Sequence, residues 1–124
     1  MKTSELTGAA LDWAVATADG KTRFDFSSGG VSYWLAGWDR KRTYPIAFAP
    51  STDWAQGGPI IEREGISLYL DTNNLWQANI FDGNPTVFGS GVEGETPLIA
   101  AMRCYVASKL GDEVEIPDEL KGAV

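Results

Sequence analysis

Residues 50–64, Pro-Ser-Thr-Asp-Trp-Ala-Gln-Gly-Gly-Pro-Ile-Ile-Glu-Arg-Glu, concentrate the chemistry of this chain. Ser51, Thr52, Asp53 and Gln56 supply hydrogen-bond donors and acceptors that fix a ligand's orientation. Trp54 offers a flat face on which a base or sugar can stack. Gly57 and Gly58 can expose backbone N–H groups to an anion, helped by the positive end of a helix that follows. The mixture suits a loop that grips something polar and flat. Ser, Thr and Asp also build capped turns unaided, and a tryptophan is ordinary core, so a structural turn is the competing reading. No phosphate-binding motif is matched, for there is neither a Walker lysine nor a GxGxxG.

A second cluster is aromatic and basic. Tyr33, Trp34, Trp38 and Tyr44 surround the consecutive cations Arg40, Lys41 and Arg42. Rings can stack a base while guanidinium groups pair with phosphate. Such aromatics are more often strand core, with Trp38, in a loop, the exception. Arg40, Arg42 or Arg103 would meet the charge of a ligand held by residues 51–58. Arg103 lies beside the apolar stripe of a helix, where ordinary solvent exposure is the blander expectation.

The chain has no histidine and one cysteine, Cys104. That removes the commonest general base, excludes a Ser-His-Asp or Cys-His triad within the chain and makes structural zinc implausible. Cys104, with apolar neighbours, is expected to be buried and inert. Glu62 and Glu64 stand two apart on a short helix and diverge, so they make no acid-base pair. Glu93 and Glu95 read as loop charges. The expectation is a non-enzymatic protein with no catalytic residues, no metal and no cofactor.

A net charge of −7 disfavours general nucleic-acid binding, which needs a basic face. No apolar run approaches the roughly 20 residues of a membrane span, and the N-terminal residues lack the pattern of a signal peptide. These features point to a cytoplasmic protein without a membrane partner. Five Trp, five Phe and four Tyr in 124 residues are many for one small core, which favours a homo-oligomer.

The elements that must position these groups are short. A helix is expected over residues 4–18, with Leu11, Ala14, Val15 and Ala18 on one face, Ser4 or Thr7 as cap, and Asp19-Gly20 as stop. Strands are expected over 21–26, 31–35 and 44–48, with a turn at 27–30 and Pro45 marking a sheet edge. Residues 59–64 read as a short helix with Pro59 at its first position, ended by Gly65. A hairpin follows, with strands 66–70 and 75–81 around the turn 71–74. Residues 82–85 read as a turn, 86–88 as a short strand and 90–95 as a Gly-rich loop. The last helix has Thr96 as cap, Pro97 at its first position, Gly111 as terminator and Ile99, Met102, Val106 and Leu110 as its buried stripe. Hairpins rather than crossovers imply a single α+β domain over 1–124. In it a mainly antiparallel sheet packs with the N-terminal and C-terminal helices, and 112–124 is an acidic surface tail.

Three stretches carry a family resemblance: residues 3–15, 50–65 and 95–120. Pro-Ser-Thr-Asp-Trp-Ala-Gln-Gly-Gly-Pro-Ile-Ile-Glu and Thr-Pro-Leu-Ile-Ala-Ala-Met-Arg-Cys-Tyr-Val-Ala-Ser-Lys-Leu-Gly closely resemble hallmarks of the NinX-type family of small phage and prophage proteins. Residues 21–49 and 73–94 depart from it. The resemblance implies a nonessential accessory phage product acting in the host bacterial cytoplasm, and it supplies no catalytic residues. By analogy of setting and size, the expected function is sequestration of a small nucleotide-like host immune signal. The alternative is a protein-interaction module that inhibits or modifies a host factor.

Overall fold

The computed structural model describes residues 1–36, 43–80 and 91–123. Trp38, Arg40 and Arg42, and the turn and short strand expected over 82–88, lie outside the described residues.

Helix α1 (Gly8–Ala18) follows a 3-10 turn at Thr3–Glu5, and Thr7 precedes its first residue. The expected helix over 4–18 is thus two pieces, divided before Gly8, whose φ of 55° interrupts the helical path. Leu11, Ala14 and Val15 are fully buried, as their spacing requires. Strands β1 (Phe24–Asp25), β2 (Ser32–Ala36) and β3 (Thr43–Ala47) form an antiparallel sheet in that order. Among the described residues β3 is an edge of this sheet, where a proline such as Pro45 costs no ladder bond.

Helix α2 (Trp54–Glu64) starts five residues earlier than the sequence suggests and carries Pro59 inside rather than at its first position. Asp53 decides the start: its Oδ1 accepts from Ala55 N–H at 2.9 Å. Gly65, in the left-handed region at φ 65°, ends the helix. β4 (Ile66–Leu70), β5 (Trp76–Ile80) and β6 (Val92–Gly94) make a second antiparallel sheet, with β4 and β5 joined through the turn at 71–74. Among the described residues the single sheet expected is therefore two three-stranded sheets. The Gly-rich stretch read as a loop over 90–95 contains β6, and its Gly94 has a structural reason. A Cβ there would run into the backbone of Ala100 on the next helix.

That helix, α3 (Pro97–Leu110), begins at the Thr96 cap, whose Oγ1 accepts from Ile99 N–H at 3.1 Å. It lies between the second sheet and α1 and touches α2 as well. Leu98, Ala100, Ala101, Met102, Cys104, Tyr105 and Val106 are all buried. The expected one-sided stripe is corrected accordingly. Met102 and Val106 are fully buried, Ile99 is half-buried, and Leu110 at the end is exposed. A helix with neighbours on several sides needs small residues around its girth, and Ala100, Ala101 and Cys104 provide them. Burial pushes the Cys104 thiol up to about 11, in keeping with an inert core cysteine. The acidic C-terminal segment runs along the body and anchors itself with Val114 and Leu120, both buried, and a 3-10 turn at Asp118–Ala123 contacts α1.

Candidate functional site: a tryptophan-walled cleft between two helix starts

The loop into α2 is pinned from several directions. Pro50 is fully buried, and Ser51 is buried beside Asp12 of α1. Ser51 N–H donates to Asp12 Oδ1 at 2.9 Å across 39 residues of sequence. Burial raises the Asp12 pKa above the usual carboxylate range, and this hydrogen bond opposes the rise. Thr52 and Asp53 N–H both donate to Ala49 C=O, at 3.1 and 2.8 Å. Gln56 folds back on the preceding strand: its Oε1 accepts from Ala49 N–H at 2.6 Å and its Nε2 donates to Ala47 C=O at 2.7 Å. A Cβ on Gly57 would stand 2.5 Å from Pro50 O and 2.6 Å from Leu98 Cδ2. Gly57 is thus the point where α2 touches α3.

Asp53, Gln56 and Gly57 are consequently engaged in the fold itself. What the loop leaves for a ligand is narrower. Ser51, Thr52 and Trp54 share a cleft of about 240 Å³ with Thr96, Pro97, Leu98 and Ile99 at the start of α3. Trp54 is 55% exposed, the most exposed of the large apolar side chains described. Its indole and the Pro97–Ile99 side chains give the cleft a largely apolar wall. The exposed carboxylates of Asp53 and Glu95 adjoin cleft residues in sequence. Gly58 faces open space.

Arg103 does not line this cleft. Its Nε donates to Leu6 C=O and its Nη1 to Glu93 C=O, both at 2.8 Å, so it fastens the N-terminal segment and β6 to α3. Burial lowers its pKa, with Glu95 opposing.

Sequence reasoning missed Asp12 and the α3 half of the cleft. The signal for Asp12 was a lone carboxylate inside Ala-Ala-Leu-Asp-Trp-Ala-Val, a helix otherwise apolar. It also missed a polar knot on the opposite ends of the helices. Asp19 accepts from the Tyr105 hydroxyl and from Arg63 Nη2 at 2.9 Å, and the Arg63 guanidinium lies 5.5 Å from the Tyr105 ring centroid. Burial, reinforced by Asp19, pushes the Tyr105 phenol up to about 12. Lys109 pairs with Glu64 at 3.7 Å. These contacts tie α1, α2 and α3 together. Among the described residues no cluster of acidic or cysteine side chains could hold a metal ion, and no helix is long and apolar enough to cross a membrane.

Fold and site define a small α+β protein with an aromatic-walled surface cleft. The chain belongs to the bacteriophage P22 NinX family, whose model matches residues 2–109. No curated protein matches it.

Proposed function

We propose that this phage protein is a non-enzymatic binding module of the host cytoplasm, which docks onto a protein partner through the Trp54 cleft. The observation that carries this reading is the exposure of Trp54 at an apolar cleft, beside neighbours that the fold has already engaged. A largely apolar notch with a tryptophan rim suits an aliphatic or prolyl side chain inserted from a partner. The net charge of −7 and the carboxylates of Asp53 and Glu95 favour basic residues flanking that side chain, and they steer such a segment in from a distance. The partner segment is therefore apolar at its centre and basic at its ends.

Titration by nuclear magnetic resonance tests this, with a peptide carrying leucine and proline between lysines and a second in which glutamates replace the lysines. The lysine peptide is expected to shift the resonances of Trp54 and Ile99, with the glutamate peptide weaker. Trp54→Ala should abolish the shifts. Equal binding by both peptides, or none by either, sinks the reading.

A second reading follows from the same indole. An exposed ring face can stack a base, so the protein could sequester a small nucleotide-like immune signal without turning it over. On that reading, incubation with nucleotide signals followed by heating would release intact nucleotide from the wild type and less from Trp54→Ala. The aromatic abundance also supports self-association, with Tyr69 and Leu70 of β4 exposed as contact candidates. Light scattering that gave a concentration-independent mass of 13.4 kDa would exclude it.

A further inference from the structure

A separate basic and aromatic cleft lies at the start of the first sheet. Gly20, at φ 85°, turns the chain out of α1, and Lys21 N–H closes on Ala16 C=O at 3.0 Å. The chain then runs beside β2: Arg23 C=O accepts from Trp34 N–H at 3.1 Å, and Phe24 pairs with Tyr33. This register sets two cations against two rings. Lys21, Arg23, Tyr33 and Trp34 line a cleft of about 170 Å³ together with Gly20 and Thr22. Lys21 Nζ stands 4.8 Å from the Tyr33 ring centroid. Tyr33 is itself held edge-on against the buried Phe48, with centroids 5.6 Å apart. Its position is fixed by the core rather than by solvent.

Two carboxylates close in sequence have other hydrogen-bond partners. Asp25 accepts from Ser27 N–H at 2.9 Å, and Asp19 serves Arg63 and Tyr105. Among the described residues neither Lys21 nor Arg23 belongs to an ion pair, whereas Arg63, Lys109 and Lys121 all do. On a chain of net charge −7, two cations that among the described residues have no carboxylate partner, set beside two half-buried rings, suit an anion. The cleft has room for a phosphate and one ring edge. It is too small, on too acidic a protein, to be a track for a nucleic-acid strand.

We propose that this cleft binds a nucleoside monophosphate, with Lys21 and Arg23 on the phosphate and the Trp34 indole against the base. The site is distinct from the Trp54 cleft and does not depend on the docking reading.

Calorimetric titration of the full chain with adenosine monophosphate, adenosine and inorganic phosphate tests it. The nucleotide should bind, and added salt should weaken it. Adenosine and phosphate, each keeping one half of the contacts, should each bind at least about tenfold more weakly. Arg23→Glu reverses an exposed charge, so the variant should keep its melting temperature and lose at least about tenfold in nucleotide affinity. Lys21→Gln should weaken binding in the same direction, and Trp54→Ala should leave it unchanged. No nucleotide binding at millimolar concentration would overturn the proposal. So would wild-type affinity in Arg23→Glu, adenosine binding as tightly as the nucleotide, or loss of nucleotide binding in Trp54→Ala.

Discussion

Helices α2 and α3 start from similar sequence: a capping oxygen from Asp53 or Thr96, and a proline within the first two turns. They meet where Gly57 abuts Leu98. Beyond that point they differ. α3 buries seven side chains against two layers, whereas α2 buries only Gly57 and Ile60 and turns Trp54 outward. The contrast separates two uses of a helix. One is the axis around which the core is packed, and the other is held by its ends so that part of its surface remains open.

The largest effect should come from charging the axis. Met102 and Val106 are fully buried on α3. Met102→Asp and Val106→Asp each place an unpaired carboxylate in the core, at a cost of several kcal/mol against a total stability of about 5–15. Neither variant should show a cooperative melt by circular dichroism. A normal transition in both would erase the distinction drawn between the helices.

The seam between them gives a paired test within two adjacent residues. Gly57→Ala drives a methyl into Pro50 O and Leu98 Cδ2 and should destabilise by about 1–3 kcal/mol, in spite of alanine's better helix propensity. Gly58→Ala meets no atom and should stabilise by about 0.5–1 kcal/mol. Urea denaturation reads both. Equal effects would mean that α2 and α3 do not touch at Gly57.

Asp12 ties α1 to the loop that launches α2, and its carboxylate leaves a signature in pH. Its folded pKa is raised by burial. The folded state therefore holds this proton more tightly than the unfolded chain, whose carboxyl titrates near about 3.9. The stabilisation is complete below that value and is lost as pH rises through the raised folded value. Asp12→Asn keeps an oxygen to accept from Ser51 N–H and removes the titration. The stability of wild type relative to this variant should fall as pH rises from about 4 to 7. A difference that stays flat with pH would show that Asp12 is not held in a dry site.

Much of this was legible in the sequence, and the failures have physical causes. α3 was readable because cap, proline, apolar positions and terminal glycine agree. The turns at 27–30 and 71–74 were readable because their residues have few other uses. α2 was misplaced because Pro59 is so strong a start signal that it outweighed Asp53, whose local hydrogen bond to Ala55 decides the matter. β6 was read as a loop because its Gly94 answers a tertiary demand, the close pass against Ala100, that local pattern cannot express. For the site, the sequence located the loop around Trp54. It overstated how many of the loop's polar groups are free, since Asp12 and the Ala47 carbonyl, outside the motif, accept from Ser51 N–H and Gln56 Nε2, and Ala49 N–H donates to Gln56 Oε1.

The smallest effect on stability, and the sharpest test of the open surface, is expected at Trp54. The residue is 55% exposed and stands in the first turn of α2, where alanine is a better helix former. Trp54→Ala should therefore change stability by no more than about 0.5 kcal/mol. The adjacent Asp53→Ala removes the cap on Ala55 N–H and should cost about 1 kcal/mol, as should Thr96→Ala at the matching position of α3. One residue thus separates a side chain that the fold needs from one that it does not. Measured side by side in urea, the two cap variants should move together while Trp54→Ala stays near wild type. A loss of about 2 kcal/mol or more in Trp54→Ala would mean that the indole clamps α2 onto Pro97 and Ile99. The cleft would then be a seam of the fold, and no binding surface would remain there to explain.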